Sequence, residues 1–119
     1  MPAQWIQHKG TNILYSDFSN MRNPAEPIAM LKIVDELYPS KGVKVRHLMN
    51  MENAALSPDF MEASKVMGKK YVPIGYKDAF IGINPLKSVL LKGFLLFTGG
   101  GGKAKVFSNI EDAKNWLAE

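Results

Sequence analysis

The segment that most constrains the fold runs from Pro85 to Gly102, PLKSVLLKGFLLFTGGGG. Its composition predicts one very apolar helix that ends at four consecutive glycines. At about 100° per residue, one broad apolar face is formed by Leu86, Val89, Leu90, Phe94, Leu96 and Phe97. Leu91 and Leu95 fall outside that face, beside Lys87 and Ser88. A helix packed on one side only does not need this second apolar stripe, so the stripe must contact something else.

Three interpretations of Leu91 and Leu95 stay open at this point. The two side chains complete the core if the helix lies between the sheet and another helix. They form part of a surface for a protein partner or homodimer, or they contact a small apolar ligand. All three arrangements bury the same side chains, so the pattern does not choose among them.

The size and composition predict a single domain over residues 1–119 that builds its own core. The absence of cysteine excludes disulfides, thiolate zinc sites, iron–sulfur clusters and a cysteine nucleophile. The N-terminal MPAQWIQHKG has no apolar stretch typical of a signal peptide. The longest apolar helix, about 14 residues, is shorter than the roughly 20 that span a bilayer. We therefore expect a cytoplasmic protein without a transmembrane segment.

Charge and motifs favour neither nucleic acid nor catalysis. The net charge of +4 comes mainly from lysines spread along the chain, with only two arginines, Arg22 and Arg46. The two histidines lack the carboxylate spacing of a metal site: we expect His8 to be exposed at a turn and His47 to be a hydrogen-bonded core residue. HExxH, GxSxG and aspartate-rich calcium loops are absent. The sequence thus predicts no nucleic-acid partner, metal, cofactor or enzymatic activity.

Strands and helices alternate along the chain. Hydrophobic periodicity predicts strands over Trp5–His8, Asn12–Asp17, Val43–Met51, Asp78–Ile83 and Ala104–Phe107. Helices are predicted from Pro27, after an N-cap at Ser57 and weakening at Gly68, after Asn84, and after Ser108 or Asn109. The order ββαβαβαβα predicts an α/β fold with a mixed, mostly parallel sheet and flanking helices.

The glycine run before Lys103 is not a phosphate-binding loop. Such a loop follows a strand and opens a helix, because it uses the free N–H groups of the helix N-terminus. Here the glycines follow a helix and precede a strand, and Ala104 stands where Ser or Thr is expected. We predict a helix-to-strand connection in which one glycine is a left-handed C-cap.

The loops after the parallel strands are the candidate binding site, because open sheets bind ligands at the carboxyl ends of their strands. Both the loop from Asn50 to Ser57 and the turn at Asn84 lead into helix N-termini, which favour anions. Asn50, Glu52 and Asn53 carry groups that can hydrogen-bond a ligand. Simple helix capping and turn formation are the alternative roles of these side chains.

The chain resembles the small bacterial STAS-like proteins, which share their fold with anti-sigma-factor antagonists and CRAL–TRIO lipid-carrier domains. The resemblance rests on the element order, on the strand DAFIGI leading directly into INPLKSVLLKGFLLFTG, and on the ending VFSNIEDAKNWL. Its most specific part spans Asp78 to Leu117. It implies a STAS-like sheet with helices on its faces and a non-enzymatic role.

The resemblance also implies a regulatory position at Ser57. Anti-sigma-factor antagonists are switched by phosphorylation of a serine at the N-terminus of the helix after the central strand, and Ser57 occupies a similar place. The family's Asp-Ser-Ser-Gly context is replaced here by Ala55-Leu56-Ser57-Pro58. A phosphate on Ser57 would meet favourable helix N–H groups.

Two functions follow as expectations. The first is a non-enzymatic binding or regulatory module that acts through protein–protein contacts, including self-association, with Leu91 and Leu95 in the contact surface. The second is a carrier or sensor of a small apolar or anionic ligand, in which the apolar helix and its glycines act as a gate.

Overall fold

The computed structural model describes residues 2–42 and 44–119, without the side chain of Lys41. Its strands are β1 (Ala3–His8), β2 (Thr11–Asp17), β3 (Val45–Asn50), β4 (Gly75–Ile81) and β5 (Ala104–Phe107). Its α-helices are α1 (Ala25–Leu37), α2 (Pro58–Tyr71), α3 (Pro85–Thr98) and α4 (Ile110–Ala118). Short 3-10 turns follow α1 and α3, at Tyr38–Lys41 and Gly101–Lys103. The predicted α/β class and the order ββαβαβαβα are confirmed.

The five strands form one sheet whose spatial order, β1-β2-β3-β4-β5, is also their order in the chain. β1 and β2 form an antiparallel hairpin, and the other neighbouring pairs are parallel. Because crossovers between parallel strands are right-handed, consecutive crossovers in one direction place their helices on one face. α1, α2 and α3 accordingly lie on one face of the sheet, and α4 covers the other.

Each face of the sheet has its own apolar cluster, because side chains alternate along a strand. Leu14, Val45 and Phe80 contribute to the larger cluster beneath the first three helices. Ile13, Leu48, Ala79 and Ile81 pack against the fully buried Ala113 and Leu117 of α4. The core is divided in two because alternate residues of each strand face opposite sides of the sheet, and because the apolar side of the C-terminal helix covers the second side.

Several predicted boundaries differ from the structure. β1 starts at Ala3, and β3 covers Val45–Asn50, while the predicted first residue, Val43, lies outside the described residues. β4 covers Gly75–Ile81 rather than Asp78–Ile83. The strand stops before Gly82 because this glycine has a φ of +77° and turns the chain.

Gly68 was wrongly expected to weaken α2, which continues through it to Tyr71. A Cβ at this position would lie 2.7 Å from Thr98 Cγ2 and 2.8 Å from Phe94 Cζ. The glycine therefore permits α2 and α3 to approach each other closely.

The predicted caps are confirmed by hydrogen bonds. Ser57 Oγ accepts from Phe60 N at 3.2 Å, and Asn84 Oδ1 accepts from Lys87 N at 2.8 Å. Asn109, rather than Ser108, caps α4. Gly99, with a φ of +77°, is the left-handed C-cap of α3.

The orientation of α3 divides its predicted broad apolar face, since Leu90 and Phe94 of that face are half-buried and line a cavity. Leu91 and Leu95 are half-buried and face the core side together with buried Lys87 and Thr98. The predicted broad face is largely solvent-exposed, at Leu86 (70%), Val89 (66%), Leu96 (86%) and Phe97 (51%). Lys87 can turn inward because its Nζ donates to the Met51 carbonyl at 2.8 Å, which compensates for its burial.

The two histidines lie in different environments. His47 is buried and hydrogen-bonded, as predicted, with Nε2 2.7 Å from Ser16 Oγ. His8 was expected to be exposed but is only partly so, because its Nε2 lies 2.8 Å from Asn115 Oδ1 of α4.

Candidate functional site: an apolar cavity beneath α2 and α3

A partly open cavity of about 120 Å³ lies between the sheet and the helices α1, α2 and α3. Apolar side chains from all three helices and from β3 and β4 form most of its wall. Its α3 side is lined by Leu90, Leu91, Phe94 and Leu95. Four of the seven methionines, Met49, Met51, Met61 and Met67, also line it. Because methionine side chains are flexible and polarizable, this wall can adapt to different apolar shapes.

The cavity follows from how the helices sit on the sheet. α2 and α3 pack against each other through Gly68, and each approaches the other more closely than it approaches any strand. α4, on the opposite face, lies directly against all five strands. The side chains beneath the α2–α3 pair leave a space between these helices and the sheet.

Most polar groups in the cavity wall already have protein partners. Lys87 donates to the Met51 carbonyl, Thr98 Oγ1 to the Phe94 carbonyl at 3.0 Å, and Ser64 Oγ to the Met61 carbonyl at 2.9 Å. The hydroxyl of Tyr71 bonds to Asp35. These groups are therefore satisfied without a ligand.

His47 is a neutral member of the wall. It stands on β3, bonded to Ser16 of β2, with its ring 5.5 Å edge-on from that of Tyr38. Burial lowers the pKa of His47 to about 3, because the charged imidazolium would lose its hydration. The imidazole thus stays uncharged at neutral pH.

Asp78 is an acidic residue in the wall of this apolar cavity. It pairs with His47 across the β3–β4 ladder, so both side chains stand on the cavity face of the sheet. Burial raises the pKa of Asp78 to about 7, and the nearby Lys103 partly opposes this shift. Among the described residues, no hydrogen-bond donor contacts its carboxyl group.

Tyr38 completes this polar end of the cavity. Its ring stacks on that of Tyr71 at a centroid distance of 4.5 Å, and a Cβ on Gly75 would lie 2.6 Å from its hydroxyl. Burial, followed by the charge of Asp78, raises the pKa of the Tyr38 hydroxyl, which remains protonated. The polar end of the cavity therefore contains the carboxyl group of Asp78 and the hydroxyl group of Tyr38.

Lys103, the lysine after the glycine run, serves as a structural cap. Its Nζ donates to the Val72 carbonyl at 2.6 Å and to the Gly75 carbonyl at 2.8 Å, beyond the end of α2. This arrangement gives Lys103 no role in a phosphate-binding loop and agrees with the prediction of a plain helix-to-strand connection.

Ser16, His47 and Asp78 lie on neighbouring strands, an order that invites comparison with a catalytic triad. A triad needs a serine whose Oγ reaches a substrate. Ser16 is 0% exposed and does not line the cavity, and the structure shows no hydrogen bond between Asp78 and His47. The Ser16–His47 pair therefore has the geometry of a buried structural hydrogen bond.

A second, more polar cleft of about 290 Å³ lies at the carboxyl ends of β3, β4 and β5. Three predicted site residues, Glu52, Asn53 and Asn84, line it together with Lys87 and Ser108. Gly82 permits the close approach of two loops here, because a Cβ on it would lie 2.3 Å from Glu52 N. The expected loop cluster is thus assembled at the expected edge of the sheet.

The polar groups of these loops mainly bond to one another. Asn50 Oδ1 accepts from Glu52 N at 3.1 Å, and Asn53 Nδ2 donates to Asn20 Oδ1 at 3.1 Å. Ser57 and Asn84 are occupied by their capping bonds, and Asn50 and Ser57 do not line the cleft. The capping and turn roles are therefore observed, and a ligand role for these residues stays a prediction, as does phosphorylation of Ser57.

Sequence reasoning missed the polar end of the apolar cavity, where Asp78 and Tyr38 lie. Asp78 was interpreted only as the start of a strand, and Tyr38 only as part of the apolar face of the first helix. An aspartate that shares the core-facing alternation of an apolar strand with Phe80 was the available signal. The concentration of methionine on α2 and β3 was a second one.

In the part of the chain that the structure describes, no group of three or more His, Asp or Glu side chains is arranged to hold a metal ion. None of the helices described is both long and apolar enough to cross a membrane. Comparisons with protein-family models, curated proteins and solved structures found no significant match to this chain. The STAS-like resemblance therefore stays a prediction.

Proposed function

We propose that the protein is a non-enzymatic binding module that holds a small, mainly apolar molecule in the cavity between its sheet and α1–α3. The observation that carries this proposal is the cavity itself, about 120 Å³ in volume and lined largely by apolar side chains. An apolar pocket with a few convergent polar groups is the usual form of a small-molecule site. A cytoplasmic location is part of the same proposal, and cell fractionation tests it.

The volume suits a ligand about the size of a small aromatic ring. A dry, apolar cavity of about 150 Å³ engineered into another protein binds benzene or xenon. Here the four methionines provide additional adaptability. The half-buried residues of α3 form a wall that gains apolar contacts when the cavity is filled, which favours occupancy.

A titration with toluene tests the proposal. Wild-type protein should bind toluene saturably, with amide chemical-shift changes at Met49, Phe80 and Leu91, which face the cavity. Ser64→Leu places a larger side chain in the cavity and should weaken binding at least about tenfold by exclusion. Val66→Leu, on the exposed side of the same helix, is the matched control and should bind normally.

The absence of saturable toluene binding to folded wild-type protein would contradict the proposal. Equal affinity of wild-type protein and Ser64→Leu would place the binding elsewhere. Native mass spectrometry of protein from its own cells is the complementary measurement, and a co-purified small molecule is the expected result.

The outer face of α3 favours a second candidate function, self-association. Leu86, Val89, Leu96 and Phe97 leave an apolar strip exposed on one helix, a feature that often marks an interaction surface. This strip replaces Leu91 and Leu95, which line the cavity, as the surface available to a second copy. Lys65 and Lys69 lie over the Phe97 ring at 5.6 and 4.7 Å and leave much of it accessible.

Light scattering across a concentration series tests this second candidate. Wild-type protein should form dimers, and Leu86→Glu/Leu96→Glu should be monomeric because two charges oppose burial of the strip. Lys92→Glu, an exposed change on the same helix outside the strip, is the control and should still dimerise. A wild-type monomer at the highest concentration would exclude self-association.

A further inference from the structure

The cavity combines a long apolar wall with two polar groups that lack partners. The carboxyl group of Asp78 and the hydroxyl of Tyr38 have no hydrogen-bond partner among the described residues. Both residues line the cavity, and Tyr38 is buried while Asp78 is half-buried. In a largely apolar pocket, a small number of polar groups fix the orientation of the ligand. Asp78 and Tyr38 are therefore the groups of this wall that are available to bond to a molecule in the cavity.

The two groups differ in what they offer a ligand. Above its pKa of about 7 the Asp78 carboxyl group is ionised and only accepts hydrogen bonds, whereas the Tyr38 hydroxyl has a proton to donate. A ligand hydroxyl complements both, because it donates to the first and accepts from the second. An amine cation would leave the tyrosine proton without an acceptor, and a carboxylate ligand would be repelled by Asp78.

Neighbouring groups do not compete for these positions. His47 Nε2 is occupied by Ser16, and Lys103 Nζ is occupied by the Val72 and Gly75 carbonyls. Lys87 donates to the Met51 carbonyl. The hydroxyl groups of Ser64, Thr98 and Tyr71 donate to protein oxygens, and the rest of the wall is apolar, so we expect the rest of the ligand to be hydrocarbon.

We propose that Asp78 and Tyr38 are the polar anchor of the cavity and that they bind the hydroxyl group of a small, otherwise apolar alcohol or phenol. This inference rests on the proposed binding function and names its ligand class. It favours a neutral ligand in this cavity over the anionic ligand that the sequence also left open.

The test compares phenol with toluene, which have similar shape and differ in a hydroxyl against a methyl group. Dissociation constants are measured for both probes by amide chemical shifts at about pH 8, where Asp78 is ionised, with wild-type protein and with Asp78→Val. The preference for phenol, expressed as the ratio of the two constants, should fall at least about tenfold in Asp78→Val, because the acceptor is lost. Because the same ratio is compared between two proteins, the difference in water solubility between phenol and toluene cancels.

Two further variants sharpen the comparison. Tyr38→Phe removes only the hydroxyl and should also lower the phenol preference. Tyr76→Phe removes a tyrosine hydroxyl that lies outside the cavity, and it should leave the preference unchanged. Thermal melts show which variants are folded, and if Asp78→Val does not fold, Tyr38→Phe decides the test.

The outcomes separate the two proposals. If toluene binds but the phenol preference is the same in wild-type protein, Asp78→Val and Tyr38→Phe, the anchor is overturned and the binding function stands. If neither probe binds folded wild-type protein, the binding function fails and the anchor fails with it. Loss of the phenol preference in both anchor variants, with Tyr76→Phe unchanged, supports the anchor.

Discussion

Asp78 and His47 stand side by side on the cavity face of the sheet, and burial shifts their pKa values in opposite directions. The pKa of the Asp78 carboxyl group is raised to about 7, and the pKa of the His47 imidazole is lowered to about 3. In both cases the charged form is disfavoured because it would lose its hydration. Each shift makes the free energy of unfolding depend on pH, with opposite sign.

The direction in which Asp78 changes the free energy of unfolding with pH follows from which state, folded or unfolded, holds its proton. Between about pH 4 and pH 7 the folded state holds the Asp78 proton and the unfolded state has released it. This residue therefore lowers the free energy of unfolding as pH rises through that window. His47 acts in the other direction, since the unfolded state takes up its proton as pH falls from about 6.5 toward 3.

Asp78→Asn should remove the first of these contributions. Relative to wild-type protein, the variant should gain stability as pH rises from 4 to 8. The gain is at most about 4 kcal/mol, since each pH unit of the shift is worth about 1.4 kcal/mol. Urea unfolding at several pH values measures the difference.

Glu62→Gln, a change at an exposed carboxyl group, is the control and should show no such trend. If the free energy of unfolding had the same pH dependence in wild-type protein and Asp78→Asn, the raised pKa of Asp78 would be contradicted.

At the scale of the element, α3 shows how a helix with apolar residues on most of its surface chooses its buried side. The side with Leu91 and Leu95 faces the core, although it also carries Lys87 and Thr98. Both polar side chains bond to backbone carbonyls, so their burial is tolerated. Close approach of α2 at Gly68 then holds this side inward.

The pair Gly68→Ala and Gly93→Ala tests this packing. At Gly68 the new Cβ meets Thr98 and Phe94 well inside van der Waals contact, so we expect a loss of about 1–3 kcal/mol. At Gly93, in the interior of α3, a Cβ meets nothing within 4 Å, and the better helix propensity of alanine should add up to about 1 kcal/mol. Urea denaturation measures both. Equal effects at the two glycines would show that helix propensity, not the approach of α2, decides the outcome.

The element order and the sheet were predictable because hydrophobic periodicity, proline and capping residues are local signals. Ser57 and Asn84 cap the helices that their positions indicated. The buried side of α3 was not predictable, because two apolar stripes compete and the choice depends on carbonyl partners that only the fold supplies. The cavity depends on the distance between the α2–α3 pair and the sheet, which no local pattern encodes.

At the scale of the whole molecule, the two faces of the sheet are packed differently. α4 lies directly on the strands and buries Ala113 and Leu117 completely. On the other face, α2 and α3 cover a space that is not fully occupied. Truncation of a side chain should therefore have unequal effects on the two faces.

Leu117→Ala should lower the free energy of unfolding by about 2–5 kcal/mol, because it opens a cavity in a filled core. Leu91→Ala should cost less, since Leu91 is half-buried and already borders empty space. It should also strengthen toluene binding by enlarging the cavity. Urea denaturation and the toluene titration measure these effects. A larger loss for Leu91→Ala than for Leu117→Ala would show that the α3 side is the better packed face.

The coincidence of spatial and chain order in the sheet also bears on how the molecule forms. Each strand pairs with the next one in the sequence, so no pairing of the sheet requires closing a loop longer than one strand–helix unit. Folding rates fall as contacting residues become more distant in the chain. The hairpin of β1 and β2 can therefore form first, and each later unit can add to a finished edge as the ribosome releases it.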